Sequence, residues 1–234
     1  MNSSQTGCGK VKINLGSGFS GLPQWLNYDN SIVARFSRFP FLIRVCVRLG
    51  LLVPGYLGLK WPPVVCHDCR RGIPKGDNAV DCVYTSHFLE HLYRHEVIAM
   101  LKEAYRVLKP GGLIRVVVPD GKQIAQKYLS TSDDFDPPLP DDCCISFTRC
   151  DWFSAQFLPV DMNMSVKPKF KRRFTEYFLR HHKWMYDYES MCALLRYAGF
   201  ININLCDFRK GEMDDVEKLD VHMTGSLHVE ARKP

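Results

Sequence analysis

Residue types that can hold a polar ligand recur where short apolar runs end. The run at 11–15 ends in Gly16, Ser17 and Gly18, the run at 25–29 ends in Asp29, and the run at 64–66 is followed by Asp68. Glycines let the backbone approach a ligand closely, and a carboxylate accepts hydrogen bonds from hydroxyl or amino groups. This pattern indicates a site that holds a hydroxyl-bearing ligand.

Groups that could move a proton follow two further apolar runs. Ser86 and His87 come after the run at 79–84, and Asp120 comes after the near-continuous apolar run at 113–118. Histidine titrates near neutral pH, so His87 is a candidate base, and so are Asp120 and the pair His181 and His182.

The elements between these residues alternate in type. Helical periodicity predicts a helix over 90–109, ended by Pro110-Gly111-Gly112, and a second helix with Asp187 as N-cap and Gly199 as C-cap. Glu90 and His91 are assigned to the first helix and the core. Strands over 201–205 and 226–231 complete a doubly wound, mostly parallel seven-stranded α/β sheet. Such sheets bind ligands beyond the carboxyl ends of their strands, where the candidate residues lie.

The distance between the glycines and the first acid restricts the ligand. Asp29 follows Gly18 by eleven residues, whereas a dinucleotide fingerprint places its acid about 20 residues on, after a full helix. The short connection disfavours NAD and FAD. It favours a ligand with a ribose and a base but no pyrophosphate.

Length and composition indicate one domain over residues 1–234, with 46% hydrophobic residues available for a core. The sequence lacks the apolar segment of a signal peptide or membrane span, so we expect a cytoplasmic protein whose ten cysteines are reduced thiols. Two segments interrupt the alternation, and we interpret residues 30–63 as a lid and residues 121–186 as a substrate cap. The alternative for 30–63, where arginines alternate with aromatic and aliphatic residues, is peripheral contact with a membrane.

The positive charge is concentrated in one segment. The strip Lys167–Lys183 carries the whole net charge of +6, which suits an anionic partner such as a phosphate-bearing substrate or a nucleic acid. The same strip has apolar residues at helical spacing, so an ordinary amphipathic helix explains it as well.

The block at 79–120, which contains SHFLEHL and YRVLKPGG, resembles the centre of class I S-adenosylmethionine-dependent methyltransferases. The resemblance is strongest to the type 11 family and its bacterial members associated with polysaccharide biosynthesis. KINLGSG, LNYDN, HDCRRGIP and HHKWMYDYESMCALLRYAGF extend it over the whole sheet. It implies a Rossmann-like methyltransferase fold with S-adenosylmethionine as cofactor.

The resemblance also implies site residues. The glycine turn would pass around the methionyl part of the cofactor, Asp29 would hold the ribose hydroxyls, and Asp68 would accept from the adenine amino group. His87 and His182 are the catalytic candidates. The predicted cofactor-binding residues are Leu15, Gly16, Ser17, Gly18, Asp29, Asp68 and Ser86. The chain departs from the family at Asn14, where an acid is usual, and at Ser20-Gly21, where the third glycine is displaced.

The predicted activity is methyl transfer to an oxygen or nitrogen of a small-molecule or saccharide-type acceptor. A nucleic-acid methyltransferase is disfavoured, because TSHF follows the fourth strand where amino-methylating enzymes carry Asn/Asp-Pro-Pro-aromatic. A catalytically silent binding module, suggested by Asn14, is the other alternative. We expect no metal, since the Cys66 and Cys69 pair lacks a second C-x-x-C to complete a zinc site; the other cysteines considered are Cys143, Cys144 and Cys150. The oligomeric state stays open.

Overall fold

A computed structural model of the chain describes residues 9–36, 39–52, 54–58, 61–130, 148–157 and 182–234. Within these residues, seven strands form one sheet. The strands are β1 (Lys12–Leu15), β2 (Leu26–Asp29), β3 (Val64–Cys66), β4 (Val80–Ser86), β5 (Leu108–Pro119), β6 (Ile201–Cys206) and β7 (Ser226–Arg232).

The strands lie in the order β3-β2-β1-β4-β5-β7-β6. The first five are parallel to one another, and β7 pairs antiparallel with both β5 and β6. The predicted doubly wound, mostly parallel, seven-stranded sheet is therefore confirmed. The main difference is in β5, which begins at Leu108 because Pro110-Gly111-Gly112 lies within an irregular stretch of its pairing with β4.

Seven α-helices are defined in the described residues. They are α1 (Ile32–Phe36), α2 (Pro40–Arg48), α3 (Arg94–Val107), α4 (Gly121–Leu129), α5 (Arg149–Phe157), α6 (Tyr188–Ala198) and α7 (Val216–Leu219). Short 3₁₀ turns occupy Pro54–Gly58, Cys69–Arg71 and Leu89–His91.

The helix predicted over 90–109 begins later than expected. Leu89–His91 forms a 3₁₀ turn, and α3 starts at Arg94, where the Glu96 carboxylate accepts a hydrogen bond from the Tyr93 N–H at 2.8 Å. This arrangement satisfies a backbone donor at the helix start and separates Glu90 from the helix.

Both predicted caps of α6 are confirmed. The Asp187 carboxylate accepts from the Ser190 N–H at 2.8 Å. Gly199 ends the helix in the left-handed conformation, with φ of 104°.

Helices cover both faces of the sheet. Alternate residues of β4 point in opposite directions, so Val83 joins the core cluster that contains buried residues of α3 and α6. Cys82 and Tyr84 join a second cluster with Val216 and Leu219 of α7. The two-sided burial explains why residues 113–118 of β5 are apolar apart from one charge.

One charge in β5 breaks that apolar pattern. Arg115 is 0% exposed and donates to Asp220 Oδ2 at 2.6 Å and to Glu230 Oε1 at 2.7 Å. Its guanidinium also donates to the backbone oxygens of Lys210 and Asp207. Buried charges persist in proteins when they are paired and hydrogen-bonded, and this network ties the 207–220 segment to the centre of the sheet.

A second polar link fixes the start of α7. Asp215 Oδ2 accepts from Trp25 Nε1 and from Lys12 Nζ, each at 2.9 Å. The hydrogen bond from Lys12 and then that from Trp25 hold the pKa of Asp215 below its ordinary value. The contact joins β1, the residue before β2 and the start of α7 around one carboxylate.

The two interrupting segments are described in part. Residues 30–63 contain α1, α2 and the turn at 54–58, and they leave Phe39 and Phe41 exposed beside Arg44. Peripheral membrane contact by this segment stays a prediction. Every helix in the described ranges is too short or too polar to cross a bilayer. Of 121–186, the structure describes α4, α5 and 182–186; most of the strip Lys167–Lys183, together with His181, Cys143 and Cys144, lies outside the described residues.

Candidate active site

A cavity of about 680 Å³ opens at the carboxyl ends of β1 to β4. This size falls within the range of about 300 to 1,000 Å³ usual for small-molecule sites. The predicted residues that line it are Gly16, Gly18, Asp29, Asp68, His87 and His182. The rule that such sheets bind ligands beyond the carboxyl ends of their strands, here called the strand-end rule, therefore predicts the position of the cavity.

Three predicted residues lie elsewhere. Leu15 is buried in the core cluster on the α3 side of the sheet, Ser17 is buried within the glycine turn, and Ser86 is at the end of β4. None of these three is part of the cavity lining.

The glycine turn, Gly16-Ser17-Gly18, is held against β2 by hydrogen bonds of the turn's backbone. The N–H groups of Gly16 and Ser17 both donate to the Tyr28 carbonyl, at 2.8 and 3.2 Å. Gly16 has φ of 68° and Gly18 has φ of 50°, in the left-handed region that favours glycine. A Cβ on Gly16 would lie 2.4 Å from Cγ of Phe88, whereas a Cβ on Gly18 would meet no atom within 4 Å. Gly16 therefore permits close packing, and Gly18 leaves space at the cavity wall.

Asp29 connects this turn to the segment after β2. Its Oδ2 accepts from the Gly18 N–H at 2.8 Å, and its Oδ1 accepts from the Ser31 N–H at 2.6 Å. An ionised carboxylate offers about four lone-pair sites. The two backbone hydrogen bonds use two of them, so about two remain for further donors. The residue both shapes the turn and can accept from a ligand's hydroxyl groups.

Asp68 is paired with a neighbouring cation. Its two oxygens accept from Arg70 Nε at 2.8 Å and from Arg70 Nη2 at 2.7 Å. This hydrogen-bonded pairing raises the pKa of Arg70 above its ordinary value. An amino group bound here would share the carboxylate with Arg70, a partner that the sequence does not predict.

Two thiols lie next to Asp68 in the chain, those of Cys66 and Cys69. Burial raises the pKa of the Cys69 thiol to about 12, and a thiol must lose its proton to bind zinc. Cys66 and Cys69 are free cysteines, and neither belongs to a group of three potential metal ligands in the described part of the chain.

His87 lies at the end of β4 in a left-handed conformation, with φ of 47°. Its Nε2 is 3.0 Å from the Ser226 hydroxyl oxygen, and its Nδ1 is 3.1 Å from Glu90 Oε1. The Nδ1 approach to Glu90 lacks hydrogen-bond alignment, so both carboxylate oxygens of Glu90 have no hydrogen-bond donor among the described residues. The ring of His222 lies 4.0 Å from the His87 ring, centroid to centroid. An imidazole beside a buried carboxylate is suited to accept a proton, since the carboxylate stabilises the imidazolium.

His182 lies near a histidine that the sequence analysis assigned to the helix and core. The rings of His91 and His182 are 5.0 Å apart, and both residues line the cavity. The Glu90 carbonyl accepts from the Lys183 N–H at 2.7 Å, which joins the two segments. Asp120 is instead the N-cap of α4, because its Oδ1 accepts from the Lys122 and Gln123 N–H groups.

Several lining residues are not among those predicted from the sequence. Phe19 and Trp61 form an edge-to-face pair with centroids 6.4 Å apart, and both face the cavity. Other additions are Tyr28, His67, Arg70, Phe88 and His91. Those next to predicted residues could have been found from the strand-end rule, but Trp61 comes from the interrupting segment and carries no local signal.

The comparison with protein families concerns the middle of this site. Residues 54–116 match the family model Methyltransf_11, described as a methyltransferase domain. The chain is a methyltransferase. The matched segment spans β3, β4 and most of β5, with Asp68 and His87, and the methyl donor of this methyltransferase is S-adenosylmethionine.

Solved structures also resemble this methyltransferase. They include a SAM dependent methyltransferase from Archaeoglobus fulgidus (16% identity, 97% of this chain and 87% of that chain covered, TM-score 0.46). A possible histamine N-methyltransferase from Thermotoga maritima is similar at 14% identity, 97% and 83% coverage and TM-score 0.48. A SAM dependent methyltransferase from Mesorhizobium loti follows at 16% identity, 96% and 91% coverage and TM-score 0.45. Among curated proteins, no relative matches the chain.

The residues around the cavity fit this cofactor. Gly18 leaves open space beside the turn, Asp29 presents a carboxylate with acceptor capacity to spare, and aromatic rings of Tyr28 and Trp61 face the same volume. Polar anchors on an otherwise partly apolar wall are the usual composition of a cofactor site. When bound, S-adenosylmethionine supplies an electrophilic methyl group.

Proposed function

We propose that this methyltransferase transfers a methyl group to an oxygen or nitrogen of a small-molecule or saccharide-type acceptor. The observation that carries the proposal is the contact of His87 with the buried Glu90 on the wall of the cavity that contains Gly18 and Asp29. Hydroxyl and protonated amine acceptors must lose a proton during methylation, and this pair supplies a proton acceptor.

The proton would move to Nε2 of His87. In the structure this atom contacts the Ser226 hydroxyl at 3.0 Å, so an acceptor hydroxyl has to replace Ser226 as its partner. The imidazolium then formed has its Nδ1 3.1 Å from the Glu90 carboxylate, which stabilises the positive charge. Glu90 acts through His87 and is therefore a positioning residue.

The cofactor would be held by the residues that surround the glycine turn. We assign Gly16 and Gly18 to the methionyl part, Asp29 to the ribose hydroxyls and Asp68, shared with Arg70, to the adenine amino group. Leu15, Ser17 and Ser86 are not part of the cavity lining, so we assign them to positioning the glycine turn and the end of β4.

The saccharide class extends the resemblance to methyltransferases of bacterial polysaccharide biosynthesis. Its support in the structure is the group of hydrogen-bonding side chains on the cavity wall outside those assigned to the cofactor, among them Arg35, His91 and His182. A hydroxyl-rich acceptor needs such donors and acceptors to replace the water it loses on binding.

The cofactor assignment is tested by calorimetric titration of the protein with S-adenosylhomocysteine. Asp29→Asn and Asp68→Asn each replace a charged hydrogen-bond acceptor, worth about 1.5 to 3 kcal/mol, by a neutral one worth about 0.5 to 1.5 kcal/mol, so we expect about 5- to 13-fold weaker binding. Asp77→Asn is the control, since this exposed acid pairs with Arg106 and is not part of the cavity lining. Absence of binding by the folded wild type would remove the proposal.

The base is tested by turnover with a panel of saccharide and small-molecule alcohols and amines. His87→Asn keeps a residue that tolerates positive φ but cannot accept the proton, and general-base catalysis is worth about 10²- to 10⁴-fold. We expect turnover to fall by that factor while S-adenosylhomocysteine affinity stays within about twofold. His95→Asn, on the exposed face of α3, is the matched control. Unchanged turnover in His87→Asn would exclude this residue as the base.

A further inference from the structure

Three potential metal ligands converge beside the cavity, and two of them, His91 and His182, line it. Glu90 and His91 lie in the 3₁₀ turn after β4, and His182 comes from a segment that follows α5 in the chain. One ligand atom of each residue lies within 4.8 Å of those of the other two. Three ligands bound at about 2.1 Å around a tetrahedral ion are separated by about 3.4 Å. Small side-chain rotations are therefore enough to close the site on an ion.

Glu90 supplies the independent reason to expect a cation. Its side chain is 0% exposed, and neither carboxylate oxygen has a hydrogen-bond donor among the described residues. A buried carboxylate is costly unless it is paired or coordinates a metal. The His87 contact engages only one of the two oxygens, so the other is available to an ion.

His182 is oriented as metal-binding histidines usually are. Its Nδ1 is 2.9 Å from the Gln156 carbonyl oxygen. Because a carbonyl can only accept, Nδ1 carries the proton and Nε2 holds the lone pair. A backbone carbonyl that fixes the tautomer in this way is the common outer partner of a histidine ligand.

The backbone holds the two ligand segments together. Glu90 O accepts from the Lys183 N–H at 2.7 Å and from the Trp184 N–H at 3.3 Å. The segment that carries His182 is thus anchored to the turn that carries the other two ligands. Such anchoring lowers the ordering cost of ion binding.

We propose that Glu90, His91 and His182 form a binding site for a divalent transition metal ion. Two imidazoles and one carboxylate are the ligand set of zinc sites that keep a fourth position open. His91 and His182 line the cavity, so the open position would face a bound acceptor. Binding of an acceptor oxygen to the ion rests on the proposed function. The metal site itself does not depend on that function.

The site is tested by titrating the metal-stripped full chain with Zn²⁺ in a calorimeter, without cofactor or acceptor. We expect one ion per chain with micromolar or tighter affinity, and at least tenfold weaker binding in His91→Ala and in His182→Ala. His95→Ala is the matched control, and His222→Ala tests whether the neighbouring His87 and His222 pair is the true site. Loss of binding in His222→Ala with retention in His182→Ala would overturn the proposal, as would absence of saturable binding in the wild type.

Two further readouts separate ligand loss from misfolding and from cysteine binding. Zn²⁺ should raise the thermal midpoint of the wild type but not that of His182→Ala, which should still unfold cooperatively without metal. Co²⁺ in the site should show d–d bands without thiolate charge transfer, because the ligands are nitrogen and oxygen. A thiolate-to-cobalt band in the stoichiometric complex would assign the ion to cysteine and overturn the proposal.

Discussion

Replacing each glycine of the turn by alanine should separate packing from ligand binding. Both Gly16 and Gly18 have positive φ, so each substitution costs about 1–2 kcal/mol for placing alanine in the left-handed region. At Gly16 the new Cβ would also lie 2.4 to 2.6 Å from three atoms of Phe88. Carbon atoms pack at about 3.5–4.0 Å, so the ring must move by about 1 Å or more, and overpacking of this kind adds about 1–3 kcal/mol.

The free energy of unfolding should therefore fall by about 2–5 kcal/mol in Gly16→Ala and by about 1–2 kcal/mol in Gly18→Ala. Urea denaturation measures both changes, and calorimetric titration with S-adenosylhomocysteine measures binding. Gly18→Ala should weaken binding while most stability remains, since its methyl group enters open space at the cavity wall. Gly76→Ala, with no positive φ and no atom within 4 Å of its Cβ, is the control. Equal destabilisation of the two turn variants would refute the steric argument, because the conformational cost is common to both.

Three further predictions concern stability. Arg115→Met leaves two buried carboxylates without their cation, so the free energy of unfolding should fall by about 3–5 kcal/mol in urea denaturation; a loss below about 1 kcal/mol would contradict the buried network. The depressed pKa of Asp215, caused by Lys12 and then Trp25, adds stability that is present above the unfolded pKa of about 3.9 and is lost as pH falls towards the folded pKa. Denaturation from pH 7 to pH 3 should therefore show a smaller loss in Asp215→Asn than in the wild type, and parallel pH profiles would exclude this assignment. Asp187→Ala removes the N-cap of α6 and should cost about 0.5–2 kcal/mol, measured as a shift of the urea midpoint, whereas Asp187→Asn, which can still cap, should cost less.

The sheet was predictable because its signals are local. β3 has the predicted bounds, and both caps of α6 are where the capping residues predicted them. The cavity followed from one general rule, since parallel strands present their carboxyl ends at one edge of the sheet. For that reason, the sequence alone could predict that Asp29 and Asp68 line the cavity.

The rest depends on contacts between distant residues. Arg115 lies in an apolar run, and no residue nearby in the sequence indicates that its partners are Asp220 and Glu230. The turn at 89–91 has apolar spacing compatible with a helix, yet Leu92 and Tyr93 adopt extended backbone, with ψ of 151° and 153°, which separates the turn from α3. The convergence of His91 with His182 is likewise set by the backbone link between Glu90 and Lys183, and no periodicity encodes that link.

The place of β7 in the sheet has a consequence for the order in which the fold can assemble. β7 follows β6 in the chain but lies between β5 and β6, so neither neighbour can complete its pairing first. During vectorial synthesis on the ribosome, β1 to β5 can form a parallel sheet whose outer edge, at 113–118, is apolar and unpaired. Unpaired apolar edges recruit other strands, and nascent chains in this state are substrates for chaperones. The interval between the release of residues 119 and 232 from the exit tunnel is therefore when this chain is most prone to aggregate, and the arrival of β7 ends it.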